Sequence, residues 1–464
     1  MIKSTIHGIG FGMLLLLPLA YLLNDFLRAA AAMAIVGGLC FANRQAVGQW
    51  INGGFEFRSP LSRWMAAVCV GLMLLRGVES LFEYRQLGLP GVGLAQLFWT
   101  LIYIAVAAIL VARFRWEAST GVALEFAIAF GFYCGVNTLL YEVGVQNANP
   151  EIAGVSLDNP FLARMLPPFA KSTTNFGAYA VLGGAFSMVA ALHPFPRKVG
   201  DLFRLVLGAF SFLVCTYAAW QSQVRFGLLA YAFTLLWLAA WKASARKFLC
   251  AASLAGMIVL PFLYIDLAGV EILDKYLPGF LHDYLSRRSG ELIYLGGRAM
   301  VYDYGFDLLA ANQVGWLGMG TVFRDARPGI ALWSESYAQE GASVSFHNGF
   351  LEILIAHGPI VCALFFAVLL LAVARLVFHR SDREAAATRD SRGRDWRLIG
   401  TFVIGVVSTI GAFEVVYNEI YGLLLILVAT VGALEAGVAQ PAKRPRPART
   451  AVPITVPNRS PAPS

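Results

Sequence analysis

The chain has 464 residues, of which 58% are hydrophobic and only 14% charged, with a mean hydropathy of +0.65. Soluble domains carry nearer a quarter charged residues, so the composition excludes a soluble globular protein and points to an all-α polytopic membrane protein. The net charge of +8 does not signal nucleic acid, because the basic residues are spread over short loops between apolar runs, as membrane topology dictates.

A helix needs about 20 mostly apolar residues to cross the hydrocarbon core. Approximate spans fall at 9–23, 29–42, 64–76 (extending to either side), 94–112, 121–140, 174–192, 202–220, 226–241, 247–266, 349–378, 398–413 and 418–437, about 12 in all. Lys3 and the run 9–23 are followed by Asn24-Asp25 with no small-residue cleavage site. That run is expected to be a first span rather than a removed leader. The chain then divides into 1–266 with spans one to nine, a polar segment 267–348, 349–439 with the last three spans, and a tail 440–464. The tail is rich in Pro, Ala and Arg. It cannot bury a core and is expected to be disordered and to meet anionic lipid. Cys40, Cys69, Cys134, Cys215, Cys250 and Cys362 all lie in apolar runs, without zinc or disulfide spacing. They are expected to be small packing residues.

Orientation follows from Lys and Arg. One set of segments holds 23 of them, including Arg44, Arg113, Arg197, Lys242, Arg380 and Lys443. The opposite short loops hold six: Arg28, Arg76, Arg85, Arg164, Lys171 and Arg225. The bias places both termini in the cytoplasm and the segments 141–173 and 267–348 outside. No internal repeat is visible, and the paired broken helices of many transporters are missing from the pattern.

In the outer segment, Ile272, Tyr276, Phe280 and Leu281 could share an apolar face, which fits a helix lying in the interface. A second helix is expected from Gly297 through Met300, Tyr304, Asp307 and Leu308. The turn Gly315-Trp316-Leu317-Gly318-Met319-Gly320 follows; glycine there permits positive φ or close backbone approach. It lacks the Lys-Ser/Thr of a phosphate-binding P-loop. Asn348 to Glu352 then begins a helix expected to enter the membrane, with His347 at its N-terminal edge, where free N–H groups and the macrodipole favour anions.

These residues resemble the superfamily of O-antigen ligases and O-antigen polymerases. The resemblance rests on Gly296-Gly297-Arg298, on Gly318-Met319-Gly320, and on His347-Asn348-Gly349-Phe350-Leu351-Glu352 with Gly358 following. Gln221-Ser222-Gln223-Val224-Arg225-Phe226-Gly227 is similar to the family's Ser-x-Ser-Arg element before a helix, and Lys171 with Asn175-Phe176-Gly177-Ala178 is a weaker match. By motif the resemblance covers about 165–375. Tyr302 and Tyr304 stand where the family often has Trp, and Gln223-Val224 where a Ser is usual; these departures bear on the subfamily. The resemblance implies a GT-C-like glycosyltransferase with a large periplasmic helical loop, at the periplasmic face of a bacterial inner membrane. It implies no metal or other cofactor. The donor would be a glycan on undecaprenyl diphosphate, and the acceptor lipid A–core for a ligase or another lipid-linked glycan for a polymerase.

The residue chemistry is compatible with that expectation. A departing diphosphate needs fixed cations, and the planar guanidinium of Arg binds phosphate oxygens bidentately. Arg225 and Arg298 are the candidates, against plain readings as a topology anchor and as a structural partner of Glu291 or Asp303. His347 is the candidate base for the acceptor hydroxyl. Lys171, Arg164, Asn348 and Glu352 are candidate substrate-binding residues. Asn348 is equally an N-cap, and Glu352 equally an ion-pair partner. Asp303 and Asp307 share a helical spacing but are not read as a metal pair. His357 is read as a packing or headgroup residue. Glu414 and Glu419, at the outer end between the last two spans, are minor candidates. The ligase reading is preferred over an O-antigen or exopolysaccharide polymerase. A lipid or glycan transporter and a non-catalytic docking protein are the other classes.

Overall fold

The structure, a computed structural model, describes residues 33–34, 36–41, 44–49, 52, 57, 59–86, 88, 90–113, 119–145, 165, 167–170, 173–192, 199–222, 224, 226–240, 305–311, 314–320, 348–378, 391–411 and 420–436. The described elements are helices: α1 (Arg44–Gln49), α2 (Pro60–Gln86), α3 (Pro90–Arg113), α4 (Ser119–Glu142), α5 (Thr173–Leu192), α6 (Val199–Gln221), α7 (Phe226–Ala240), α8 (Gly349–Phe378), α9 (Ser391–Gly411) and α10 (Ile420–Ala436). Six are long and apolar enough to cross a membrane: α2, α3, α4, α5, α6 and α8. α7, α9 and α10 contain shorter apolar helices. The protein is an all-α, multi-pass membrane protein. The expected spans 9–23 and 247–266 and the tail 440–464 lie outside the described residues.

Proline starts two of the helices. Pro60 and Pro90 occupy first-turn positions, where the missing N–H costs nothing. Between α2 and α3 the chain turns through Gly88, at φ 75°, and the two helices pack as a hairpin. Their contact uses small residues: a Cβ on Gly93 would press on the backbone of Ser80 and Leu81, and one on Gly77 would meet the Thr100 hydroxyl at 2.9 Å. Small residues let helices approach where lipid tails give no hydrophobic drive to associate.

α4, α5 and α6 form a second tight group. Gly131 faces Ser211, Gly183 lies between Phe130 and Cys215, and Gly208 packs on Ala191. Phe126 stacks on Phe186 at 4.7 Å between ring centroids, and Phe186 meets Phe402 of α9 edge-on at 5.5 Å. α9 packs on α10 through Gly400 and Ala433 and on α7 through Gly405 and Phe233. α10 also packs against α2 and α3, and α8 against α2 and α9. α6 turns Leu202, Phe203, Val206, Phe210 and Leu213 outward, an apolar stripe suited to lipid. Cys69, Cys134 and Cys215 are buried free thiols among these contacts.

Hydrogen bonds sort the helix ends. The Ser59 amide donates to Glu435 Oε1 at 3.1 Å, joining the start of α2 to the end of α10. Tyr217 donates to Glu142 Oε1 at 3.1 Å, joining the ends of α6 and α4. Residues 143–145 and 222 follow directly from that end.

Two expectations need correction. The apolar run 349–378 is not one continuous helix: Gly358 adopts φ 80° and ψ 170°, and Pro359 follows it. The part from 359 to 378 is about 30 Å long at 1.5 Å per residue, a full hydrocarbon core by itself. Residues 349–357 and 359–378 are therefore two helical pieces joined at a kink. Hydropathy misses this because the run stays apolar through the break. Arg76 and Arg85 belong to α2 rather than to a loop, because α2 extends well past residue 76.

Candidate functional site

Four sequence elements meet in two pairs. The first pair is the glycine turn 315–320 and the helix 349–357. Asn348 caps that helix. Its Oδ1 accepts hydrogen bonds from the amides of Phe350 at 2.9 Å and Leu351 at 3.2 Å, and its carbonyl accepts from Glu352 at 2.9 Å. This satisfies N–H groups that the first helical turn leaves open. Of the two readings of Asn348, the geometry gives the cap. Glu352 is wholly buried in the first turn, where the helix dipole favours a carboxylate.

The short helix is apolar on two faces. Phe350 stacks on Phe366 at 4.5 Å and, with Ile353, joins the main core. Leu351, Ile355 and Ala356 form a smaller cluster with Leu308, Leu309, Val314 and Met319. Residues 305–311 and 314–320 thus pack on this helix through a cluster separate from the main core.

Backbone contacts complete the joint. Pro359 has no N–H to offer the Ile355 carbonyl, and the kink at Gly358 falls within the turn that follows the Ala356 carbonyl. The Met319 amide donates to the first and the Gly320 amide to the second, each at 2.9 Å. Gly318 and Gly320 carry φ values of 83° and 87°. A Cβ on Gly318 would be driven into the Ala356 carbonyl, and one on Gly358 into the Trp316 carbonyl. Glycine is required on both sides of this crossing. Beyond it, Trp316 and Leu317 stand 73% and 71% exposed at the tip of the turn.

The second pair is the segment 173–178 and the turn before α7. A Cβ on Gly177 would collide with the Val224 side chain, and Gly227 packs on Val181. Val224 and Phe226, the neighbours of Arg225, are both buried. Ser222 Oγ donates to the Ala218 carbonyl at 2.8 Å and closes the end of α6.

Residues 165–170 are tied down as well. The Met165 amide donates to the Gln221 carbonyl at 3.2 Å. Tyr133 donates to the Phe169 carbonyl at 2.7 Å, the Phe169 amide donates to Asn137 Oδ1 at 2.9 Å, and Asn137 Nδ2 donates to the Tyr133 carbonyl at 2.9 Å. Arg164 and Lys171 flank this anchored stretch. Arg164, Lys171, Arg225, Arg298 and His347 themselves lie outside the described residues, as do Asp303, Glu414 and Glu419. The structure therefore fixes the frame that flanks four of the five candidate cations and bases, namely Arg164, Lys171, Arg225 and His347.

Sequence reasoning missed Glu79. It sits in α2, 3.3 Å from His357 Nδ1 through Oε2, and His357 is 2% exposed. The signal was available: an ionisable residue inside a long apolar helix is costly and calls for a partner. Tyr133 and Asn137 were also missed, because a Tyr and an Asn within an apolar run read as ordinary span residues.

Among known proteins, no family model matches the chain, and no curated protein matches it either.

Proposed function

We propose that the chain is a glycosyltransferase that moves a glycan from undecaprenyl diphosphate to an acceptor at the periplasmic face of the bacterial inner membrane. The acceptor is lipid A–core, in the manner of an O-antigen ligase, within lipopolysaccharide or surface-polysaccharide biosynthesis. Twelve crossings, cytoplasmic termini and a GT-C-like arrangement belong to the same reading.

The observation that carries it is the docking of Gly318-Met319-Gly320 into the break at Gly358, just beyond the helix capped by Asn348. The two elements are distant in sequence, and each carries its own part of the resemblance. Their contact is what a shared site requires. The packing of Gly177 on Val224, next to Arg225, supports the reading in the same way.

In the proposed reaction the acceptor hydroxyl oxygen attacks the anomeric carbon of the donor sugar. The bond from that carbon to the diphosphate oxygen breaks, and undecaprenyl diphosphate leaves with the electron pair. His347 takes the hydroxyl proton. Arg225 and Arg298 hold the charge developing on the diphosphate, with Lys171 and Arg164 assisting its capture. His347 immediately precedes in sequence the N-terminus of helix 349–357, where the dipole favours an anion.

The test is transfer by purified protein in EDTA, with the lipid-linked donor and with or without lipid A–core. Product that depends on lipid A–core, and is lost in Arg298→Ala and His347→Ala, is the expected result. Longer glycan without lipid A–core would make the protein a polymerase. Unimpaired transfer by His347→Ala would remove the assignment of the base.

A further inference from the structure

We propose that Glu79 and His357 form a latch that positions the short helix 349–357, and with it the His347-Asn348 edge; the catalytic part of this inference rests on the glycosyl-transfer reading. The starting point is the break. Gly358, at φ 80° and ψ 170°, interrupts the helical hydrogen-bond ladder, so the membrane-crossing part of α8 does not by itself fix the direction of residues 349–357. Something else must.

Two of the contacts of the short helix reach the outer segment rather than the bundle: the cluster with Leu308 and Met319, and the hydrogen bonds from Met319 and Gly320. Phe350, stacked on Phe366, ties the N-terminal end to the crossing part of its own α8. His357 ties the C-terminal end to α2, through Glu79. The two anchors lie at opposite ends of the short helix, on different helices of the bundle.

The chemistry of the pair suits a latch. His357 is a buried imidazole in an otherwise apolar stretch, between Ala356 and Gly358. Burial of such a group is costly unless a polar partner meets it. Glu79 meets it at 3.3 Å, an ion-pair distance without a hydrogen bond between the two atoms, from a helix whose own position is set by α3, α8 and α10. A purely space-filling residue at 357 needs no carboxylate opposite it.

The lever arm gives the magnitude. From His357 to Asn348 the helix runs about 13 Å at 1.5 Å per residue. A rotation of about 10° at Gly358 displaces the Asn348 end by about 2 Å, and a misplacement of 1 Å can cost about 100-fold in rate. Glu79 and His357 touch no reacting atom in this scheme; they are positioning residues.

The experiment compares wild type, Glu79→Gln, His357→Gln, the double variant and the exchanged pair Glu79→His/His357→Glu. Amide hydrogen exchange over 349–357 is measured in micelles, and transfer kinetics are measured with the lipid-linked donor. Each single variant is expected to speed exchange in 349–357 and lower kcat about 10- to 100-fold, with KM for the donor held within about twofold. The double variant should lose no more than either single one, and the exchanged pair should recover activity. Wild-type exchange in both single variants would overturn the latch, and so would additive losses. Faster exchange in the variants of a wild type that transfers no glycan would keep the latch and remove the glycosyl-transfer reading.

Discussion

Substituting Gly318 by alanine tests the central joint of the proposed site. Gly318 is left-handed at φ 83°, and a Cβ there would be forced into the Ala356 carbonyl and to 2.5 Å from the His357 amide nitrogen. An alanine held in the left-handed region costs about 1–2 kcal/mol. If the turn backs away to relieve the clash, the hydrogen bonds from Met319 and Gly320 go with it, each worth about 0.5–1.5 kcal/mol. The joint should lose about 2–5 kcal/mol, which raises its opening equilibrium roughly 30-fold to several thousand-fold. Hydrogen exchange resolves this at the Met319 and Gly320 amides. Gly315 is the control: a Cβ there meets nothing nearer than the Gly318 carbonyl at 3.8 Å, so Gly315→Ala should cost less than about 0.5 kcal/mol. If Gly318→Ala keeps wild-type protection at both amides, the docking of the turn into the helix break is wrong. Equal effects at 315 and 318 would also refute the reasoning.

Three further perturbations probe the frame. Gly177→Ala should destabilise by about 1–3 kcal/mol through overpacking on Val224, and Val224→Ala should relieve it in the double variant; thermal unfolding read by thiol labelling of buried Cys69, Cys134 and Cys215 reports both. Asn348→Ala should cost about 0.5–2 kcal/mol and fray the first turn of 349–357, seen as faster exchange at Phe350 and Leu351, while Asn348→Asp keeps the cap. Tyr133→Phe should cost about 1 kcal/mol and loosen 165–170, seen as faster proteolysis between α4 and α5 with α4 itself intact.

Hydropathy alone determined the class of this protein. Runs of about 20 apolar residues can satisfy their backbone in lipid only as helices, so nine of the expected spans overlap described helices, although Pro60–Gln86 runs ten residues past the expected 64–76 and Gly349–Phe378 is kinked at Gly358. Local chemistry also made the cap at Asn348 legible, because an Asn before an apolar run has few better uses for its side chain. The glycine turn is legible, since the closely spaced Gly315, Gly318 and Gly320 signal backbone freedom, but its partner is not. That Gly318 crosses Gly358, and that Met319 and Gly320 fill the carbonyls of a broken helix, depends on contacts across about 40 residues of sequence. The break at Gly358 has a local signal in the Gly358-Pro359 pair, but hydropathy averaged over the run passes across it, since apolarity reports the solvent and not the backbone path. Glu79 and His357 are 278 residues apart, and no local pattern pairs them; only the packing of α2 against α8 brings a carboxylate to an imidazole. Sequence sets which segments enter the bilayer because that choice is made residue by residue. The tertiary structure sets which polar groups meet, because each of those meetings is decided by helices that are neighbours only in space.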